Sequence, residues 1–439
     1  MNKKRRRKKV RIWSGICILL LSAGLLGYLF LAEKKDNTEE KQEQAGQKQV
    51  LEAEEKQDAA ESDRPETEKQ QEAGAPSETE MEPTEEEKKE AEIAAWIADM
   101  SLEEKTAQLF MITPEALTGY GTVTAASTVT KEALKKYPVG GVILFGNNVV
   151  SPEQLSGMTE NLMAYSMELT GLPLFIGIDE EGGKVTRIAE NAAFDVPRFS
   201  NMSEIGASGD TALASNAGTE IGRYLNQYGI NVDFAPVADV LTNPQNEVVR
   251  ARSFGSDANV VAEMDLAFAE SMEAQGVLTC MKHFPGHGGT SGDTHHGYSY
   301  TEKSLEELKA AELVPFQRGI DAGISFIMAS HIAAPNVTGD ETPASLSGKL
   351  IAETLRADMG YDGIVITDAM NMGAIVNGYD SKTSAVEAIL AGADIVLMPK
   401  DFAGAYQGVL EAVRAGGITE ERINESVKRI LSVKINMKK

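Results

Sequence analysis

The chain has 439 residues, in which 66 Asp and Glu outnumber 42 Lys and Arg, for a formal net charge of −24. This surplus of negative charge argues against nucleic acid as a partner, because the phosphates would be repelled. The two cysteines, Cys17 and Cys280, fall in an N-terminal apolar run and in a predicted buried strand, so no disulfide is expected.

The N-terminus has the pattern of a membrane signal. Residues 1–32 contain eight Lys and Arg and no acid, and residues 12–32 are uncharged. At about 1.5 Å per residue this run spans about 31 Å, close to the hydrocarbon thickness of a bilayer. The basic flank is expected to stay in the cytoplasm. The run ends in bulky residues such as Tyr28 and Phe30 rather than in a small-residue cleavage site, which favours an uncleaved single-pass anchor over a cleaved and secreted form.

Residues 33–92 form the next segment, with 22 Asp and Glu against nine Lys and Arg and almost no large apolar residue. Such a stretch buries too little apolar surface to offset its chain entropy, so it is predicted to be a disordered acidic linker. Residues 93–439 are predicted to form one folded domain outside the cytoplasm. Near its start, Ser101 and Glu104 have the spacing of a helix capping box.

Eight short apolar runs alternate with longer amphipathic stretches in this domain. The runs are 108–112, 141–145, 174–178, 232–237, 277–281, 324–328, 363–366 and 394–398. Most are rich in β-branched or aromatic residues and too short for buried helices, whereas 152–169, 258–275, 304–322 and 381–391 have helical spacing. Eight strand–helix units predict an α/β fold of the (β/α)8, or TIM-barrel, type. A doubly wound open sheet is the alternative, but the dinucleotide-binding fingerprint is missing.

Polar residues follow five of the eight predicted strands. They are the acidic and glycine-rich residues 179–183, then Asp239, Lys282 with His283, Ser330 with His331, and Thr367 with Asp368. In barrels of this type the carboxyl ends of the strands form the rim that carries the active site. The pattern therefore predicts a catalytic or ligand site at this rim.

Four of the five histidines lie within residues 283–296. A metal site is one interpretation of this cluster, since His283 and His287 are four residues apart. That spacing puts two side chains on one face only in a helix, and the intervening Phe284-Pro285-Gly286 forbids one. No metal and no organic cofactor are therefore expected.

A pair of groups flanking a glycosidic bond fits these residues better. Asp368, at the end of a predicted rigid strand, suits the nucleophile that forms a glycosyl ester. Asp293 and His295 are two residues apart, so the carboxylate can orient the imidazole as an acid and base. His296 competes for this role on spacing alone.

At these residues the chain resembles glycoside hydrolase family 3, in its single-domain β-N-acetylglucosaminidase branch. The matching motifs lie at residues 100–105, 140–145, 178–187, 235–240, 252–255, 282–288 and 367–370. The string Lys-His-Phe-Pro-Gly-His-Gly at 282–288, followed by Asp293-Thr294-His295, is the most specific of them.

The resemblance implies a role for each matching residue. Asp368 is the expected nucleophile, His295 the acid/base and Asp293 its orienting partner. The expected contacts to sugar hydroxyls come from Asp179, Arg187, Arg252, Lys282 and His283. Arg250, which departs from the family pattern, is a possible competitor of Arg252 for the sugar.

The resulting expectation is a membrane-tethered retaining exo-β-N-acetylglucosaminidase. Its expected partners are the membrane and a glycan that contains N-acetylglucosamine. Peptidoglycan fragments are the expected substrate. Two alternatives stay open. A phosphorylase would use the same residues with phosphate in place of water, and a noncatalytic wall-binding barrel would bind the glycan without turnover.

Overall fold

The computed structural model describes residues 84–292, residue 297 and residues 299–437. The predicted anchor at 1–32, nearly all of the predicted linker at 33–92, and the residues Asp293, His295 and His296 lie outside the described residues. Within the described part of the chain, no helix is both long and apolar enough to span a bilayer.

Eight parallel strands build the centre of the domain. The ten strands in chain order are β1 (Phe110–Ile112), β2 (Gly141–Ile143), β3 (Phe175–Ile178), β4 (Val232–Asp233), β5 (Leu278–Phe284), β6 (Ser299–Tyr300), β7 (Phe326–Ala329), β8 (Ile332–Ala333), β9 (Ile364–Thr367) and β10 (Val396–Leu397). The large sheet has the order β10-β1-β2-β3-β4-β5-β7-β9. A parallel bridge between Ile366 and Ile395 joins its two ends, so the sheet is a nearly closed barrel. The α/β class and the eight parallel strands are confirmed.

Helices follow most of the strands. The α-helices are Glu85–Asp99, Leu102–Gln108, Pro114–Thr118, Thr128–Lys136, Pro152–Thr170, Met202–Ser208, Thr211–Gln227, Ala258–Glu273, Leu305–Ala310, Val314–Asp321, Pro335–Thr338, Gly373–Val376, Ser381–Ala391, Phe402–Arg414 and Glu420–Asn436. Short 3₁₀ turns lie at Gly146–Asn148 and Ala344–Leu346, and Lys349–Asp358 forms a π-helix.

Local sequence signals explain several of these boundaries. The Ser101 and Glu104 side chains form the expected reciprocal capping box. The predicted helix at 304–322 is two helices, because Pro315 has no amide hydrogen to donate and is accommodated only in the first turn of the second helix. Strand β5 runs on to Phe284, past the predicted end at 281, and so carries Lys282 and His283 within the strand.

The folded domain begins earlier than residue 93. The first described helix starts at Glu85, with a capping box formed by Thr84 and Glu87. Its Ile93 is buried, and Glu90 pairs with Lys428 of the last helix at 3.1 Å. The predicted linker at 33–92 is therefore helical over its final residues, because a helix needs only a narrow apolar face to pack on a neighbour.

A second, two-stranded sheet was not expected from the sequence. It pairs β6 with β8 in parallel, with Ser299 opposite Ile332. Because β6 follows the histidine-rich loop and β8 follows β7 of the barrel, this sheet attaches the returning end of the loop to the rim.

Candidate active site

A cavity of about 430 Å³ lies at the carboxyl ends of the barrel strands. Six of the eight predicted site residues line it, namely Asp179, Arg187, Arg252, Lys282, His283 and Asp368. The other two, Asp293 and His295, are outside the described residues. Within the described ranges, no three His, Cys, Asp or Glu side chains are arranged to hold a metal ion.

Asp368 directly follows strand β9 and is held by its neighbours. Its amide donates to the Ala329 carbonyl at 2.8 Å, and its Oδ1 accepts the Ala369 amide at 2.7 Å. Burial raises the pKa of this carboxyl, but the neighbouring His331 and His283, the Ala369 amide and Lys282 together bring the pKa below its ordinary value. Asp368 is therefore an ionised carboxylate in the cavity wall, as a nucleophile requires.

A cluster of four charged side chains also lines the cavity. It consists of Lys282, Arg252, Asp179 and Glu181. Lys282 Nζ lies 2.8 Å from Asp179 Oδ1 and 2.6 Å from Glu181 Oε1. Arg252 contacts both oxygens of Glu181, each at 2.7 Å. Burial raises the pKa of Glu181, but Arg252 and Lys282 outweigh it and hold the pKa far below its usual range. Glu181 is therefore the anion that fixes both cations.

Asp179 and Arg187 are both partly open to the cavity, with side chains 19% and 25% exposed. They approach each other only to 3.7 Å, between Arg187 Nη2 and Asp179 Oδ2. The Arg187 guanidinium also lies 5.7 Å from the centre of the Phe145 ring. Because their mutual pairing is loose, both keep hydrogen-bonding capacity for a ligand.

His283 is held by the buried carboxylate of Asp239. The distance from His283 Nδ1 to Asp239 Oδ2 is 2.7 Å, and Arg252 Nη2 lies 3.4 Å from the opposite ring nitrogen, Nε2. Burial raises the pKa of Asp239, but the contact with His283 and the hydrogen bond from the His287 amide outweigh burial and lower the pKa below its ordinary value.

The structure shows which of the residues that sequence alone could not distinguish lie at the cavity. Arg250 is exposed and lies 3.8 Å from Glu247, so Arg252 is the arginine that lines the cavity. His287 is buried in the cavity wall, with Nδ1 2.8 Å from Thr290 Oγ1.

His331 is fully buried and is not among the residues that line the cavity. Its two ring nitrogens contact Ser345 Oγ at 2.8 Å and the Ala369 carbonyl at 3.0 Å.

Sequence reasoning missed the roles of Glu181 and Asp239. Glu181 lies in the family motif at 178–187 and Asp239 in that at 235–240, but neither motif alone predicts a function for them. The only signal was their position after a strand, because their partners lie on other strands far along the chain.

The cavity also has apolar lining residues, which include Val248, Met328, Met372 and Met398. Met398 has φ of 48°, the only positive φ outside glycine among the described residues. A left-handed backbone costs a residue with a Cβ about 1–2 kcal/mol, and such strain is typical of functional sites.

Comparison with known proteins identifies the family. Residues 101–433 match the glycosyl hydrolase family 3 N-terminal domain. Beta-hexosaminidase A of Pseudoalteromonas piscicida is 34% identical over 331 residues, which are 70% of this chain and 55% of that protein. Beta-hexosaminidase LpqI of Mycobacterium tuberculosis is 32% identical over 352 residues, which are 78% of this chain and 85% of that protein.

A solved structure agrees with these relatives. The glycoside hydrolase family 3 beta-N-acetylglucosaminidase from Paenibacillus sp. str. FPU-7 superposes with a TM-score of 0.72 and 37% identity, over 77% of this chain and 63% of that one. The chain thus spans a little over half of the Pseudoalteromonas protein and less than two thirds of the Paenibacillus protein. The family match includes every residue that lines the cavity. The resemblance inferred from the motifs is confirmed, and the chain belongs to glycosyl hydrolase family 3.

Proposed function

We propose that the chain is a retaining exo-β-N-acetylglucosaminidase in which Asp368 is the nucleophile. The observation that carries the proposal is the ionised carboxylate of Asp368 in a cavity of about 430 Å³. That volume is near the lower end for ligand pockets, which suits a single terminal sugar. In this mechanism the carboxylate attacks the anomeric carbon and forms a covalent glycosyl ester.

The charged side chains of the cavity provide the hydrogen bonds that sugar hydroxyls need. Lys282 and Arg252 only donate and Asp179 only accepts, whereas each hydroxyl does both. Their mutual contacts at 2.6 to 2.8 Å hold these groups in place before the sugar arrives. Fixed donors and acceptors lower the cost of ordering the site on binding.

Proton transfer is assigned to His295, oriented by Asp293, on the family resemblance. His295 would protonate the departing oxygen and then activate water to release the sugar. The two flanks of this loop support the assignment. The His287 amide donates to Asp239 at 2.5 Å before the loop, and β6 pairs with β8 after it. Both flanks are thus attached to the barrel rim that carries Asp368.

The amino sugar is proposed from the relatives, which are named as beta-hexosaminidases and as a beta-N-acetylglucosaminidase. The basic and apolar N-terminus supports attachment to the cell membrane, with the barrel outside the cytoplasm. Cell-wall fragments that carry terminal N-acetylglucosamine are the glycans available there, and we propose them as the substrate.

The experiment measures release of N-acetylglucosamine by the full-length chain and by Asp368→Ala. We expect the variant to lose several orders of magnitude in kcat, because the covalent path is removed. Hydrolysis of disaccharide-peptides is compared with that of chitobiose, with and without phosphate. Sugar 1-phosphate as the main product would identify a phosphorylase, and binding without turnover would identify a wall-binding barrel.

The proton donor is tested with His295→Ala, with His296→Ala as its control. We expect His295→Ala to lose about 10²–10⁴-fold in kcat on substrates with poor leaving groups. The loss on an activated aryl glycoside is expected to be much smaller, since that leaving group needs no proton. Equal losses on both substrates would remove His295 from the acid role.

A further inference from the structure

His283 lies between one group that can only accept a hydrogen bond and one that can only donate. Asp239 Oδ2 is 2.7 Å from Nδ1, and Arg252 Nη2 is 3.4 Å from Nε2. An ionised carboxylate has no proton to give, and a guanidinium has no lone pair to offer. The proton of the imidazole is therefore on Nδ1, and the lone pair is on Nε2.

Asp239 can influence a ligand in the cavity only through the imidazole of His283. His283 lines the cavity, whereas Asp239 is fully buried and does not line it. We propose that Asp239 is a positioning residue that holds His283 as the Nδ1-protonated tautomer, so that Nε2 accepts a hydrogen bond from a hydroxyl of the bound sugar. This inference rests on the proposed function, because it requires a sugar in the cavity.

The same carboxylate also holds the backbone that carries the ring. Asp239 Oδ1 accepts the amide of His283 at 3.3 Å and that of His287 at 2.5 Å. One oxygen of Asp239 is thus occupied by two backbone donors, and the other faces the imidazole. If a neutral side chain replaces Asp239, its oxygen therefore has to face the two backbone amides and its other polar atom has to face the imidazole.

The tautomer makes a prediction about the ligand. A hydroxyl that contacts Nε2 must donate its proton, whereas one that contacts only Lys282 or Arg252 must accept. Fluorine in place of a hydroxyl keeps a weak acceptor and removes the donor, and hydrogen removes both. Replacing the hydroxyl that contacts His283 by fluorine or by hydrogen is therefore expected to lower the affinity for the sugar to the same extent.

The first measurement needs no mutant protein. The full-length wild-type chain is titrated with N-acetylglucosamine and with its 3-, 4- and 6-deoxy and fluoro analogues. We expect both analogues to bind about 10-fold more weakly, to a similar extent, at each hydroxyl that donates to an acceptor of the cavity, and the hydroxyl at His283 Nε2 is one of these. Fluorine that is tolerated better than hydrogen at all three positions would overturn the proposal. A wild-type chain that binds no N-acetylglucosamine would instead refute the proposed function.

The second measurement uses Asp239→Asn. The side-chain oxygen of Asn is required by the two backbone amides, so its NH₂ group must face His283 Nδ1. The ring then has to protonate on Nε2, toward Arg252. We expect affinity for N-acetylglucosamine to fall about 10- to 100-fold, and the fluoro analogue at the hydroxyl position that contacts His283 to bind better than the deoxy analogue.

The matched control is Asp233→Asn in strand β4, the strand that precedes Asp239. Asp233 is equally buried, and its Oδ1 accepts the Glu180 amide at 2.9 Å, but it does not line the cavity. We expect this variant to bind the deoxy and fluoro analogues in the same order of affinity as the wild type.

Nitrogen-15 shifts of the histidine rings distinguish the tautomer from a general loss of stability. The wild type is expected to show His283 protonated at Nδ1 and Asp239→Asn at Nε2. If Asp239→Asn folds and keeps both the wild-type shifts and the wild-type analogue order, the proposal is wrong.

Discussion

Lys434 provides a test of how burial of a charge controls the stability of this barrel. It is fully buried in the last helix, where its Nζ donates to Gln108 Oε1 at 2.8 Å and lies 4.9 Å from the centre of the Phe175 ring. No carboxylate in the described part of the chain pairs with it. Burial therefore lowers the pKa of Lys434 from 10.5 to about 7.

The direction of the pH dependence follows from this lowered pKa. Above pH 10.5 the amine is neutral in both the folded and the unfolded chain, so it carries no penalty. Between pH 10.5 and about 7 only the unfolded chain binds the proton, so the free energy of unfolding falls as the pH falls, by up to about 1.4 kcal/mol per pH unit. Below about pH 7 both states are protonated and the penalty is constant.

The penalty sets the expected effect of Lys434→Met. A shift from 10.5 to about 7 corresponds to at most about 5 kcal/mol. Methionine removes this penalty but leaves Gln108 Oε1 without its donor, at a cost of about 1–3 kcal/mol. We expect a net gain of about 2 kcal/mol in the free energy of unfolding at pH 7, and no gain or a small loss at pH 10.5.

The assay is urea unfolding of the full-length chain between pH 7 and 10.5, followed by circular dichroism. Lys428→Met is the control, because Lys428 is on the same helix but exposed, and its pair with Glu90 is a surface pair. Its effect is expected to be below about 0.5 kcal/mol and independent of pH. An equal effect of Lys434→Met at every pH would refute the reasoning.

Two further predictions concern the site. Glu181→Gln leaves the buried Arg252 without its 2.7 Å anion and Lys282 with Asp179 alone, so we expect a loss of about 2–4 kcal/mol in the free energy of unfolding and a raised KM, measured by denaturation and kinetics. A Cβ at Gly288 would overlap the Val240 carbonyl, whereas one at Gly297 meets no atom within 4 Å. Gly288→Ala is therefore expected to lower kcat about 10- to 100-fold, with Gly297→Ala near wild type. Full activity in Gly288→Ala would contradict the close packing of this loop.

The strands and the location of the site were predictable because their signals are local. Strands of a closed parallel barrel are buried on both faces, so they are read as short apolar runs. A charged residue directly after such a run has to lie at the rim, and Asp179 and Asp368 both line the cavity there.

The missed features depend on contacts that sequence spacing does not encode. Glu181 was not recognised as the partner of Arg252, nor Asp239 as the partner of His283, because each pair joins separate strand ends. The helix from Glu85 was missed because, among its residues, only Ile93 is buried. The sheet of β6 and β8 has strands of two residues, too short for any periodic pattern.

The charged and the apolar lining residues of the cavity differ in how freely they can be substituted. Lys282 and Arg252 both contact Glu181, so a change in any one of the three disturbs the others. Met372 and Met398 have apolar side chains and take part in no ion pair among the described residues. Adaptation of this barrel to a different sugar, in evolution or by engineering, should therefore substitute the methionines and leave the ion cluster of Lys282, Glu181 and Arg252 unchanged.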